Sequence, residues 1–190
     1  FYSGENNLIT DVDGILVGNA ENKEIGTGTT ILIPPIGSTA GADVRGGAPG
    51  TREVGALNPY NLVDTIDAIV LSGGSAWGLE AASSAANFIG KSGRGFKASE
   101  NIKNVPMVPA AILFDLNNGG NKDWGDEAPY NNLGIEASTR ASEKFKLGNV
   151  GAGYGAKAGS LKGGLGSASF ENEEGLKIGG LFAVNSFGSV

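Results

Sequence analysis

The sequence predicts an α+β chain, and three stretches predict it. Ala68-Ile-Val-Leu71 is a short apolar run that meets Gly73-Gly74, and Ser75 to Ile89 is rich in Ala, Leu and Glu without proline. That order reads as a buried strand, a tight turn and a helix. Thr29-Thr-Ile-Leu-Ile-Pro34 is β-branched and stops at Pro34-Pro35, so it reads as a second strand. From Gly148 onward, glycine-punctuated apolar segments succeed one another, as strands of a sheet do.

The composition narrows the chemistry. The chain has 190 residues, enough for one core, with a net charge of −6. That charge argues against nucleic acid or anionic membranes as partners. No apolar run approaches a membrane span, and the absence of cysteine makes a cytoplasmic location the expectation. The chain begins at Phe1, which leaves room for an upstream segment. Histidine is absent too, which removes Ser-His-Asp and Cys-His catalysis and histidine metal sites. Any base must be a carboxylate, a lysine or a free N-terminal amine. No metal and no cofactor is implied.

In chain order, Phe1 to Asn7 reads as loose. A turn at Asp13-Gly14 precedes a strand from Ile15 to Val17. The Gly28-Thr29-Thr30 start invites a reading as an internal autoprocessing threonine, but nothing beside it supports chemistry, so it reads as a strand entrance. Residues 43 to 53 form a glycine-rich loop with Asp43, Arg45, Arg52 and Glu53 interleaved. The arginines there either hold an anion or pair with their neighbouring carboxylates; the second reading is preferred. Asn58-Pro59 opens a short helix to about Asp64. In the helix after Ser75 the many small residues suit close packing, and Ser75 is a natural N-cap. Lys91 to Asn104 is an exposed connector, Ala110 to Phe114 a buried strand, and Asn117 to Asn121 a turn-rich loop. Asp126 to Lys146 reads as one helix with a weak spot at Gly134. Three strands follow, over 150–159, 162–170 and 176–185, with a hairpin turn at Asn172 to Gly175.

Gly73-Gly74-Ser75 has the look of a nucleophile elbow. The spacing is Gly-x-Ser-x-x-Gly, however, and no histidine exists to activate the serine. Ser75 is therefore expected to line a pocket, not to attack.

Seven stretches together carry a family resemblance. They are Ile9-Thr-Asp-Val-x-Gly-Ile-x-Val-Gly18, Asp43-Val-Arg-Gly-Gly-Ala-Pro-Gly-Thr-Arg-Glu53, Leu71-Ser-Gly-Gly-Ser-Ala-Trp-Gly-Leu79, Val105-Pro-x-Val-Pro-Ala-Ala-x-Leu-Phe-Asp115, Gly148-Asn-Val-Gly-Ala-Gly153, Lys162-Gly-Gly-Leu-Gly-Ser-Ala168 and Val184-Asn-Ser-Phe-Gly188. In this order they resemble the DmpA-type aminopeptidases of peptidase family S58, which include β-peptidyl aminopeptidases and endo-type nylon-oligomer hydrolases. The resemblance implies a four-layer αββα sandwich like that of ornithine acetyltransferase. It implies a precursor that cleaves itself into α and β chains, the new N-terminal Ser or Thr of the β chain being the nucleophile. Residues 1–190 would be the α portion of one domain, completed by that β chain. Homo-oligomers of αβ units, tetramers by family habit, are expected.

The resemblance also assigns residues. Asn185 matches the family asparagine whose side-chain amide binds the oxyanion. The position of the nylon hydrolases' functional lysine is Ser160 here. Lys162, on the same strand parity, is the better candidate for that role, and Lys157 the weaker. Some relatives carry a tyrosine where this chain has Phe114, which has no hydroxyl to donate. Phe114, Trp77, Ser75 and Gly74 are expected to form substrate-binding walls. The substrates would be small peptides or linear amide oligomers. Acyl transfer on the ornithine acetyltransferase plan, and a non-catalytic binding protein of the same fold, are the alternatives.

Overall fold

A computed structural model describes residues 1–188. Its centre is a five-stranded sheet built from β2 (Leu16–Asn22), β3 (Thr27–Ile33), β4 (Thr51–Arg52), β5 (Ile69–Ser72) and β6 (Ala110–Ile112), in the order β2-β3-β5-β6-β4. Only β5 and β6 run parallel, because the helix α1 (Glu80–Gly90) carries the chain across between them. The second helix, α2 (Tyr130–Thr139), lies beside α1 on the same face of the sheet.

Side-chain alternation sorts the two faces of this sheet. Ile31 and Val70 are paired across strands and fully buried, together with Ala81, Ala82 and Ala85 of α1 and Leu133 and Ala137 of α2. The small residues of α1 bring the helices close. At Gly134 a side chain would run into Ser84 and the Ala81 carbonyl, so the apparent weak spot is the helix crossing point. On the opposite face, Gly28 and Thr30 meet a 3₁₀ turn at Gly151–Gly153.

That turn joins the central sheet to a second one. β1 (Tyr2–Ser3), β9 (Gly164–Glu171) and β10 (Lys177–Val184) make a three-stranded antiparallel sheet in the order β1-β9-β10. A small ribbon of β7 (Lys157–Ala158) and β8 (Leu161–Lys162) lies between the turn and β9 in sequence. The layers thus run helix pair, five-stranded sheet, 3₁₀ turn, three-stranded sheet. Leu165 and Ser169 of β9 are buried on one face, whereas Phe170, Ile178, Phe182 and Val184 are exposed on the other. No helix of the described residues is long and apolar enough to cross a membrane.

The strands over 29–34, 68–71, 110–114, 162–170 and 176–185 stand close to where expected, and the 91–104 connector is exposed. Several expectations are corrected. Residues 1–7 are not loose: β1 pairs with β9, and the Asp11 carboxylate collects Asn6 N–H, Leu8 N–H and the Ser169 hydroxyl. Burial alone would raise that carboxyl's pKa. The hydrogen bonds outweigh it and hold the group at about 2.

No helix forms over 58–64. Asn58 Oδ1 takes the Tyr60 N–H, and the Asn58 carbonyl takes the Asn61 N–H, closing a turn instead. The second helix is shorter than the expected 126–146. It stops at Thr139 because Ser142 then exchanges backbone hydrogen bonds with Val17 along the free edge of β2. Of the expected strand over 150–159 only Lys157–Ala158 forms strand, and Gly151–Gly153 is the 3₁₀ turn. Side chains of the central sheet satisfy its first N–H groups, Glu21 Oε2 at Gly151 and Thr30 Oγ1 at Ala152.

Candidate active site

The turn between β5 and α1 is built around a buried carboxylate. Asp115, fully buried, accepts the Gly74 N–H at 2.7 Å and the Thr27 hydroxyl at 2.6 Å. Tyr130, also fully buried, donates to Thr27 Oγ1 at 3.3 Å. Burial pushes the Tyr130 phenol up to about 12, and the negative Asp115 adds to the push. This packing explains the glycine pair. A side chain on Gly73 would strike Asp115 and Thr27, and one on Gly74 would land on the Tyr130 ring. Gly74 also has φ +87, where a Cβ is strained.

Ser75 is not the N-cap that its position suggested. Its own φ is +53, and no side chain caps the 3₁₀ turn Ser75–Leu79 that leads into α1. A non-glycine residue in that region costs about 1–2 kcal/mol and points to a constraint from its surroundings. Here the constraint is the Gly74–Asp115 bond on one side and the Ser75 N–H to Leu113 carbonyl bond on the other.

This turn faces an open cavity of about 740 Å³ whose walls include Ser75, Ile112, Phe114, Lys157, Asn185 and Phe187. At its edge the Asn185 amide is held at three points. Its Oδ1 accepts the Lys157 backbone N–H at 2.9 Å and Asn118 Nδ2 at 3.2 Å. Its Nδ2 donates to the Phe114 carbonyl at 3.0 Å. An amide has two N–H donors, and among the described residues the second has no protein acceptor. A fixed, uncommitted donor at the edge of a partly apolar cavity suits stabilisation of an oxyanion.

The structure thus brings Ser75, Phe114, Asn185 and Lys157 together around one cavity. Gly74 lies beneath that wall, buried against Tyr130. Trp77 is turned away: it lines a separate groove and meets Trp124 edge-on at 6.0 Å. Lys162 does not line the cavity; its ammonium donates to the carbonyls of Gly153 and Ala156 at 3.0 and 2.9 Å. Burial lowers its pKa, opposed in part by Asp115. Lys122, whose ammonium sits on the Ile25 and Gly26 carbonyls, shows the same pair of influences.

The glycine loop carries no converging arginines. Arg45 pairs with exposed Asp43, while Arg52 binds Ser83 of α1 and approaches Glu53 at 3.9 Å. Thr29 and Thr30 are interior to β3, bonded to Ser72 and Asn19. Sequence reasoning missed Asp115 and Asn118. Asp115 ends a strand and Asn118 sits in an Asn/Gly-rich turn, so both had read as punctuation.

Known proteins resemble this chain over most of its length. The profile of "Peptidase family S58" matches residues 7–190. An uncharacterized aminopeptidase of Mycobacterium tuberculosis is 41% identical over 192 residues, which cover 97% of this chain and 54% of that protein. A 6-aminohexanoate-oligomer endohydrolase of Kocuria sp. is 32% identical over 163 residues, covering 84% of this chain and 41% of the relative. Among solved structures, the L-aminopeptidase D-Ala-esterase/amidase of Ochrobactrum anthropi, described as a variant of the Ntn hydrolase fold, superimposes with a TM-score of 0.77 at 18% identity. That match covers 97% of this chain and 55% of the other. The fold is that Ntn-hydrolase variant. The chain spans about half the length of the relatives it matches.

Proposed function

Because this chain belongs to peptidase family S58, we propose that it is the α subunit of a self-processed N-terminal-nucleophile amide hydrolase. The observation that carries the reading is the Asn185 amide, locked by Lys157, Asn118 and Phe114 with one N–H left for an oxyanion. The remaining half of the protein would supply the nucleophile, a Ser or Thr at the start of a β chain. Its own α-amine takes the hydroxyl proton as the oxygen attacks the amide carbonyl. The carbonyl oxygen becomes negative and accepts the free Asn185 N–H. Collapse breaks the C–N bond, the protonated amine returns its proton to the leaving nitrogen, and an ester to the β chain remains. Water then adds to that ester and releases the acid.

The substrate class follows from the relatives' named activities together with the cavity walls. Ile112, Phe114 and Phe187 offer aliphatic and aromatic surface to a short peptide or a linear amide oligomer. The β chain as partner is supported by the exposed apolar row Phe170, Ile178, Phe182 and Val184, which in water costs about 25 cal/mol per Å² left uncovered. Homo-oligomers of αβ units belong to the same proposal.

The test uses the whole translated protein. Intact mass is expected to show two chains, and the second should begin with Ser or Thr. The processed protein should release amine from amino-acid amides or 6-aminohexanoate oligomers. A single uncleaved chain would overturn the proposal. Transfer product exceeding hydrolysis in the presence of amino-acid acceptors would move it to acyl transfer.

A further inference from the structure

The Asn185 amide is a useful oxyanion donor in only one of its two flipped orientations. Oδ1 toward Lys157 N–H leaves Nδ2 to reach the Phe114 carbonyl and the cavity. The flipped amide would set its oxygen against the Phe114 carbonyl and its N–H groups against the Lys157 N–H. The Lys157 N–H and the Phe114 carbonyl favour the first orientation, and a second donor at Oδ1 reinforces it.

Asn118 does this. Its Nδ2 spends one hydrogen on the Gly155 carbonyl at 2.9 Å and the other on Asn185 Oδ1 at 3.2 Å. With the first hydrogen committed to a backbone carbonyl, the second always presents a donor to Asn185. The Asn118 backbone is held in turn: its N–H closes a turn on the Asp115 carbonyl at 3.0 Å. The carboxylate of that same Asp115 carries the Gly74 N–H and so the Ser75 side of the cavity. One four-residue turn, 115–118, therefore sets both the serine wall and the amide.

We propose that Asn118 is a positioning residue: it orients the Asn185 amide so that its free N–H faces the reacting carbonyl. This rests on the reading that Asn185 binds the oxyanion. Asn118 lines the same cavity, and its effect on the reaction is exerted through Asn185.

The test compares Asn118→Ala, Asn118→Asp, Asn185→Ala and the Asn118→Ala/Asn185→Ala double variant. All are made in the whole protein, with rates expressed per titrated active site. Asn118→Ala should lower kcat about tenfold, roughly one hydrogen bond's worth, with KM within about twofold. Asn118→Asp at neutral pH sets a carboxylate against Asn185 Oδ1 and the Gly155 carbonyl, and should lose at least as much. Its deficit relative to the parent should shrink as pH falls toward about 4, the range in which an aspartic acid protonates and can again donate to Asn185. A purely structural role would change the yield of folded enzyme, not this pH dependence.

The double variant should be no slower than Asn185→Ala alone. Parent-like kcat in both Asn118 variants, with Asn185→Ala impaired, would overturn the positioning role and leave the oxyanion reading standing. Parent-like kcat in Asn185→Ala would overturn the oxyanion reading itself. Where Asn118→Ala folds poorly, the pH response of Asn118→Asp decides.

Discussion

Two concavities of similar size flank the turn at Ser75, and they are built on opposite terms. One, of about 740 Å³, holds Asn185 with its hydrogen bonds fixed, and its walls mix apolar Ile112, Leu113 and Phe114 with polar Ser75, Asn117 and Lys157. The other, of about 800 Å³, is lined by Trp77 and Trp124 and by five carboxylates, among them Glu80 and Asp126. Among the described residues no three of those carboxylates converge as metal ligands. Volume does not tell them apart. The difference lies in preorganisation: the first presents a donor that is already aimed, whereas the second presents a group of carboxylates.

The sharpest way to break this contrast is Asn185→Ala. Loss of an aimed oxyanion donor should cut kcat by ~10²–10³, equivalent to about 3–4 kcal/mol of transition-state stabilisation. Steady-state kinetics of the processed enzyme reads it, and a loss below about threefold would reduce Asn185 to a strand-end cap. Next comes Asp115→Ala. It strips from two buried donors, Gly74 N–H and the Thr27 hydroxyl, the only acceptor they have among the described residues. The expected loss is about 3 kcal/mol of stability by denaturant unfolding. Asp115→Asn keeps one acceptor oxygen and should lose less; equal losses would show that the charge, and not the bonds, holds the turn.

How much of this was readable follows from the range of each interaction. The strand–turn–helix at 68–89 was legible because its signals are local: an apolar run, two glycines, then small residues. The cavity was half legible. Asn185 and Phe114 came from motif resemblance and do meet there, while Trp77, three residues from Gly74, faces the other way. A 3₁₀ start rotates the side chains from the positions an α-helix beginning at Ser75 would give them. Asn118 and Asp115 were illegible because their partners lie 67, 41 and 88 residues away. The same holds for the end of α2, where pairing of Ser142 with Val17 overrides helix propensity across the whole chain.

A smaller effect sharpens the role of the serine wall. Ser75→Ala keeps the backbone at φ +53 and removes one hydroxyl from the cavity. Activity should fall by a few-fold, about the worth of a hydrogen bond, without disappearing. Complete loss with normal folding and processing would restore Ser75 to the chemistry.

The smallest expected effect lies in the other groove. Trp77 is 57% exposed, and among the described residues its one aromatic partner is Trp124, met edge-on. Trp77→Ala removes that contact, worth about 0.5–1.5 kcal/mol, and leaves Asn185 and its three partners untouched. Stability should therefore drop slightly while kcat and KM stay within about twofold of the parent, since no aimed donor is disturbed. If KM instead rises tenfold for a cationic substrate and not for a neutral one, the carboxylate-lined groove is reading the amine end of the substrate. The two concavities would then be two ends of one binding site, with the Gly73–Ser75 turn as the wall between them.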